Sequence, residues 1–198
     1  MLTKQEIGRQ ILHILVGLVL MNLFYFNILS PLAMLLGIII GGLSSILSKR
    51  IKLPGLNFFL NNFERPEQRK VFPGRGMIFY FVGVLLVMQL FEKDIALAAM
   101  AVLTLGDSLS HLFGASVGKI KNFFNGHSRK LLEGTFAGTV AGALGAALFV
   151  PFPEALLGAA AAMIAEVVDI DLNGKHLDDN LIVPLVAGTV MLLVRTYL

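Results

Sequence analysis

The chain has 198 residues, is 56% hydrophobic with a mean hydropathy of +0.79, and carries only 15% charged residues. A soluble domain carries about a quarter charged residues, so a water-facing globule is excluded and an all-α bundle of membrane helices is expected. The absence of cysteine rules out disulfides and thiolate metal ligands; the net charge of +3 says less than the places where the charges fall.

A helix needs about 20 mostly apolar residues to cross a bilayer. Seven runs approach that length: 10–29, 31–48, 76–91, 95–118, 134–152, 155–168 and 181–198. The first has no small-residue cleavage site behind it, so it reads as a retained span rather than a signal peptide. The second opens on Pro31 and carries Gly37 and Gly41 at small-xxx-small spacing. In the polar loop 49–75, Leu56, Phe59, Leu60 and Phe63 fall on one helical stripe between basic ends. That pattern predicts an interfacial helix lying on an anionic leaflet. In the fifth run Gly134, Gly138 and Gly142 make two overlapping GxxxG patterns, suited to close helix packing in lipid. The sixth is short enough to be re-entrant, but is read as a span ending before Asp169.

Lysine and arginine concentrate in cytoplasmic loops. Seven spans put every one of them except Lys93 and Arg195 on a single side, so the amino terminus is expected in the cytoplasm. The same topology brings Asp107, Glu133, Glu166, Asp169, Asp178 and Asp179, with the amide of Asn180, to that side. Asp107 would lie roughly 20 Å along its helix from the outer end.

The stretch 106–135 is the densest in chemistry. A carboxylate inside an apolar run is costly and marks a functional site. Asp107, His111, Gly114 and Gly118 recur at i, i+4, i+7 and i+11, so one helix face would carry all four. Glycines there allow a second backbone or a phosphate to come close. Arg129 and Lys130 precede Glu133, Gly134 and Thr135 at the mouth of the next run. No lysine or arginine falls in the spans near Asp107, so metal binding shared with Glu166 and Asp169 is favoured over a buried ion pair. His111 is placed either to orient Asp107 or to face a polar cavity. His13, four residues after Arg9, could close the site from the first span. Carboxylate ligation points to a hard cation, Mg²⁺ or Mn²⁺, with cationic side chains neutralising a transferring phosphoryl group. The sequence holds neither a Walker A pattern nor a protein-kinase loop.

These residues resemble the polyprenol kinase family, the CTP-dependent lipid-alcohol kinases that include dolichol, phytol and fungal-type diacylglycerol kinases. The resemblance runs through Glu6, Arg9 and His13, then Gly106-Asp107 with Gly114, Gly118 and Lys119. It continues through Lys130, Glu133, Gly134 and Thr135 to Glu166, Asp179-Asn180 and Pro184. Two positions depart from the family pattern: Gln10 stands where a lysine is usual, and Leu131 where a serine or threonine is usual. The resemblance implies a cytoplasm-facing site in an integral membrane protein, where CTP with Mg²⁺ phosphorylates a membrane alcohol. On that expectation Asp107, Glu166 and Asp179 are metal ligands or the base, and Asp169 is a further ligand. Lys119, Arg129 and Lys130 hold the triphosphate, while Asn180 and Glu133 orient ligand or nucleotide. The partners are then the bilayer, a lipid alcohol and a nucleoside triphosphate, not a nucleic acid. A CTP:phosphatidate cytidylyltransferase and a small ion-coupled transporter are the rival expectations.

Overall fold

The computed structural model describes residues 3–51, 54–64, 69, 71–120, 131–168, 171–172 and 175–198. Among them are helices α1 (Lys4–Tyr25), α2 (Pro31–Ser48), α3 (Pro54–Phe63) and α4 (Arg75–Leu90). They are followed by α5 (Lys93–Val117), α6 (Leu132–Ala146), α7 (Phe152–Val167) and α8 (Asp179–Tyr197). The described residues also hold one short antiparallel pairing, β1 (Asp171–Leu172) with β2 (Lys175–His176). Each of the seven apolar runs is helical. Among the described residues four helices, α1, α2, α5 and α8, are long and apolar enough to cross a membrane, compatible with an integral membrane protein. The helices at the third, fifth and sixth runs are shorter, at 16, 15 and 16 residues.

Local chemistry explains the helix starts. The Thr3 hydroxyl accepts the Glu6 N–H at 3.1 Å and caps α1. The helix therefore begins at Lys4 rather than at residue 10, and takes in Arg9 and His13. Ser30 caps α2 through the Ala33 N–H at 3.2 Å, with Pro31 in the first turn, where its missing N–H costs nothing.

The core gathers around α5. Buried positions make up 78% of its apolar window against 11% for α2, so α5 is the central helix and α2 a peripheral one. Helix α2 buries only Met34 and Ser45 and exposes Leu36, Ile40 and Leu43, an outward face suited to lipid. Glycines set the close contacts inside. A Cβ on Gly138 would lie 2.7 Å from the Gly106 carbonyl, and one on Gly134 would lie 3.0 Å from the Gly114 Cα. The expected GxxxG face of α6 is thus spent on α5.

Helix α8 meets α4 by a different device. Pro184 lacks the N–H that would bond the Asn180 carbonyl one turn back. That carbonyl faces Gly83, where a Cβ would collide with it.

At the far end of the bundle, Arg195 pairs with Glu92 (3.0 Å), Asp94 (2.8 Å) and Glu154 (2.8 Å). The pairing ties the end of α8 to the starts of α5 and α7. There Lys93 also donates to the Tyr25 carbonyl at 2.8 Å and to Asn27 Oδ1 at 2.7 Å.

The amphipathic stripe of the 49–75 loop does form a helix, α3, but much of it faces the protein. Leu60 is 2% exposed, and the Phe63 ring lies 3.4 Å from where a Gly8 Cβ would stand on α1. Phe58 is the large side chain that α3 turns outward. Of the aromatic residues of the stripe, Phe63 thus meets α1, and the Phe59 ring lies 5.4 Å from that of Phe63.

Candidate functional site

Three helices bring four donors together. Asp107 and His111 on α5, Glu166 at the end of α7 and Asp179 at the start of α8 each offer an atom, and these atoms all lie within 4.8 Å of one another. Asp107 and Glu166 are buried. On α5 the i, i+4 spacing works as expected: His111 Nε2 is 3.5 Å from Asp107 Oδ1. A feature absent from the sequence reading is the π-helical turn Val102–Asp107, which ends on the aspartate. Such turns are rare and recur at functional sites.

The other side of Asp107 is held by α1 and α4. His13 Nε2 lies 3.9 Å from Asp107 Oδ2, and the His13 ring stands edge-on to Tyr80 with centroids 4.4 Å apart. The Tyr80 hydroxyl is bonded to Thr104 Oγ1 at 2.8 Å. Gly17, one turn beyond His13, makes this approach possible, because a Cβ there would collide with both Thr104 and Tyr80. Sequence reasoning missed Tyr80; its signal was a polar hydroxyl inside an apolar run.

Above the cluster opens a cavity of about 820 Å³, between α1, α3, α4 and the start of α8. Asp107, His111 and Asp179 line it together with His13, Arg9 and Arg75. Arg9 is paired with Glu6 at 2.5 Å, and Arg75 Nε lies 3.4 Å from Asp178 Oδ2. The loop before α8 is anchored to α4 as well. Asp178 accepts from the Asn180 N–H at 3.3 Å and from Asn180 Nδ2 at 2.8 Å, and Asn180 Nδ2 reaches the Gly76 carbonyl at 3.4 Å. Asn180 therefore fixes the backbone that carries Asp179.

The remaining expected residues divide. Gly114 and Gly134 face each other in the α5–α6 contact. Gly118 is not on the expected helix face: α5 ends at Val117, and Gly118 is extended, at φ −64° and ψ 133°. Glu133 accepts the Lys119 N–H at 2.9 Å and the Ile120 N–H at 3.1 Å, closing the chain back onto the start of α6. Lys119 is exposed beside it. The Thr135 hydroxyl donates to the Leu131 carbonyl at 3.4 Å. Arg129, Lys130 and Asp169 lie outside the described residues.

The donor set is suited to a divalent ion. Mg²⁺ ligands sit about 2.0–2.1 Å from the metal, so opposite ligands stand about 4 Å apart, near the spread of these four atoms. The imidazole of His111 joins what the sequence suggested would be carboxylates alone. Carboxylates suit Mg²⁺ and Mn²⁺, whereas imidazole suits zinc, copper, iron and nickel, so the mixed set does not by itself select the ion. No protein-family model, curated protein or solved structure matches the chain.

Proposed function

We propose that this chain is a multi-pass membrane kinase that transfers the terminal phosphoryl group of a nucleoside triphosphate to a membrane lipid alcohol. The observation that carries the reading is the convergence of Asp107, His111, Glu166 and Asp179 on one point at a cavity. Asp107, Glu166 and Asp179, with His111, would hold Mg²⁺ or Mn²⁺, and Asp169 remains a further ligand candidate. When bound, the ion neutralises the charge that gathers on the phosphate oxygens. Arg9 and Arg75 stand along the cavity to receive phosphate oxygens, a task guanidinium forks suit. Lys119, Arg129 and Lys130 supply the basic loop beyond α5, with Gly114, Gly118, Glu133, Gly134 and Thr135 shaping it and Asn180 orienting Asp179. The alcohol oxygen attacks the terminal phosphorus, the bond to the nucleoside diphosphate breaks, and the hydroxyl proton passes to a carboxylate of the cluster. Seven spans with a cytoplasmic amino terminus remain part of the proposal, supported by the one-sided basic residues. They put the site at the inner face, with CTP as the donor that the family resemblance implies.

The test is product analysis. Purified protein in nanodiscs is incubated with γ-labelled CTP, Mg²⁺ or Mn²⁺ and a panel of isoprenoid alcohols, phytol-like alcohols and diacylglycerol. Label in a lipid phosphate, with CDP released, is the expected result. Pyrophosphate and a CDP-lipid would assign cytidylyl transfer instead, and intact nucleotide throughout would refute both and leave the transporter reading.

A further inference from the structure

The cavity lining also carries polar groups that the metal cluster does not use. Glu64, just past the end of α3, lines the cavity and is only 7% exposed. Its Oε1 accepts the Gly74 N–H at 2.7 Å. Its Oε2 is buried and has no hydrogen-bond partner among the described residues. Burial pushes the Glu64 carboxyl above the ordinary range, against the pull of the Gly74 and Arg75 N–H groups and the Arg69 charge. Gln10, 2% exposed, lines the same cavity with its Oε1 likewise unpartnered among the described residues. Buried acceptors without donors are costly, and two in one cavity call for a ligand that brings N–H or O–H groups.

The surroundings narrow the ligand. Phe59, Phe63 and Phe72 line the cavity close in sequence to Glu64, and aromatic faces are where planar bases stack. Arg9 and Arg75 lie on the same lining, which continues to Asp107 and Asp179. An alkyl alcohol carries one hydroxyl, which the reaction needs at the cluster, and leaves the Glu64 and Gln10 acceptors unpaired. A nucleotide whose base bears an exocyclic amine offers two N–H donors on one nitrogen, a face to stack and phosphates for the arginines. Carboxylate acceptance from the amine of cytosine is a known geometric pairing.

We propose that Glu64 is a specificity-determining residue that accepts from the exocyclic amine of the donor nucleobase, with Gln10 as its second acceptor. This rests on the nucleotide-dependent reading above and assigns that reading a base subsite. The experiment is a thermal-stabilisation titration of the full-length protein in nanodiscs with Mn²⁺. The ligands are CTP, UTP, N4,N4-dimethyl-CTP and inorganic tripolyphosphate. CTP should bind about tenfold or more tightly than UTP or the dimethylated analogue, because each of those leaves buried acceptors unpaired. In Glu64→Gln the CTP preference over UTP should collapse, since an amide can donate to the uracil carbonyl while still accepting from Gly74, and tripolyphosphate binding should be unchanged. Equal binding of CTP and UTP by the wild type would overturn the assignment and leave the kinase reading standing. No stabilisation by any nucleotide would overturn both. Loss of tripolyphosphate binding together with CTP in Glu64→Gln would mark a folding role and overturn the base contact.

Discussion

Asp107→Asn is expected to lower turnover about a thousandfold or more while the protein still inserts and folds. The amide keeps the shape of the side chain and removes its charge. Ligation of a divalent ion and stabilisation of a phosphoryl group contribute several kcal/mol to such a reaction, and each 1.36 kcal/mol is a factor of ten in rate. The fold does not need the charge: burying a carboxylate is a desolvation cost, so the amide should leave thermal stability unchanged or slightly raised. The check is a rate measured beside a melting curve on the same nanodisc preparation. Wild-type turnover in the variant would refute the role given to Asp107. His111→Ala, which removes the imidazole donor and leaves the three carboxylates in place, should lower turnover less than Asp107→Asn does.

Gly83→Ala should damage the molecule from a position that touches no ligand. The added methyl collides with the Asn180 carbonyl and comes within 3.4 Å of the Pro184 ring. Neither neighbour is the tip of a flexible side chain, so α8 has to move as a unit. Overpacking of this kind costs about 1–3 kcal/mol. The displaced turn carries Asp179 and the Asn180 contacts to α4, so metal affinity should fall along with the melting temperature. Gly37→Ala on α2 is the matched control, because a Cβ there meets nothing within 4 Å. Its melting curve and metal affinity should match the wild type. Equal behaviour of the two variants would contradict the α4–α8 contact.

Much of the helical framework was legible because long apolar runs leave few alternatives. Asp107 with His111 was legible for a similar reason: a four-residue spacing on a helix fixes neighbours without knowledge of the tertiary structure. The glycines of α6 announced close packing, and α5 supplies the partner. What sequence could not give is which helices meet. Gly83 and Pro184 sit in separate runs with no shared periodicity, and only the crossing of α4 and α8 joins them. The stripe on α3 was readable as amphipathic, but an apolar face does not say whether lipid or α1 covers it. The π-helical turn before Asp107 has no spacing signature. Gly118 continued the periodic face on paper, yet the helix ends one residue before it. Glu64 and Gln10 were hidden for another reason: each is an ordinary polar residue until the fold encloses it beside a cavity.

The convergence of the four donors on one divalent ion is most directly measured with Mn²⁺ as the probe. Titration of nanodisc-embedded protein, followed by electron paramagnetic resonance, should give one tightly bound Mn²⁺ per chain with a nitrogen coupling from imidazole. The coupling should vanish in His111→Ala, and the affinity should drop in Glu166→Gln. Weak, non-stoichiometric binding, or tight binding indifferent to both substitutions, would contradict a metal centre at this point.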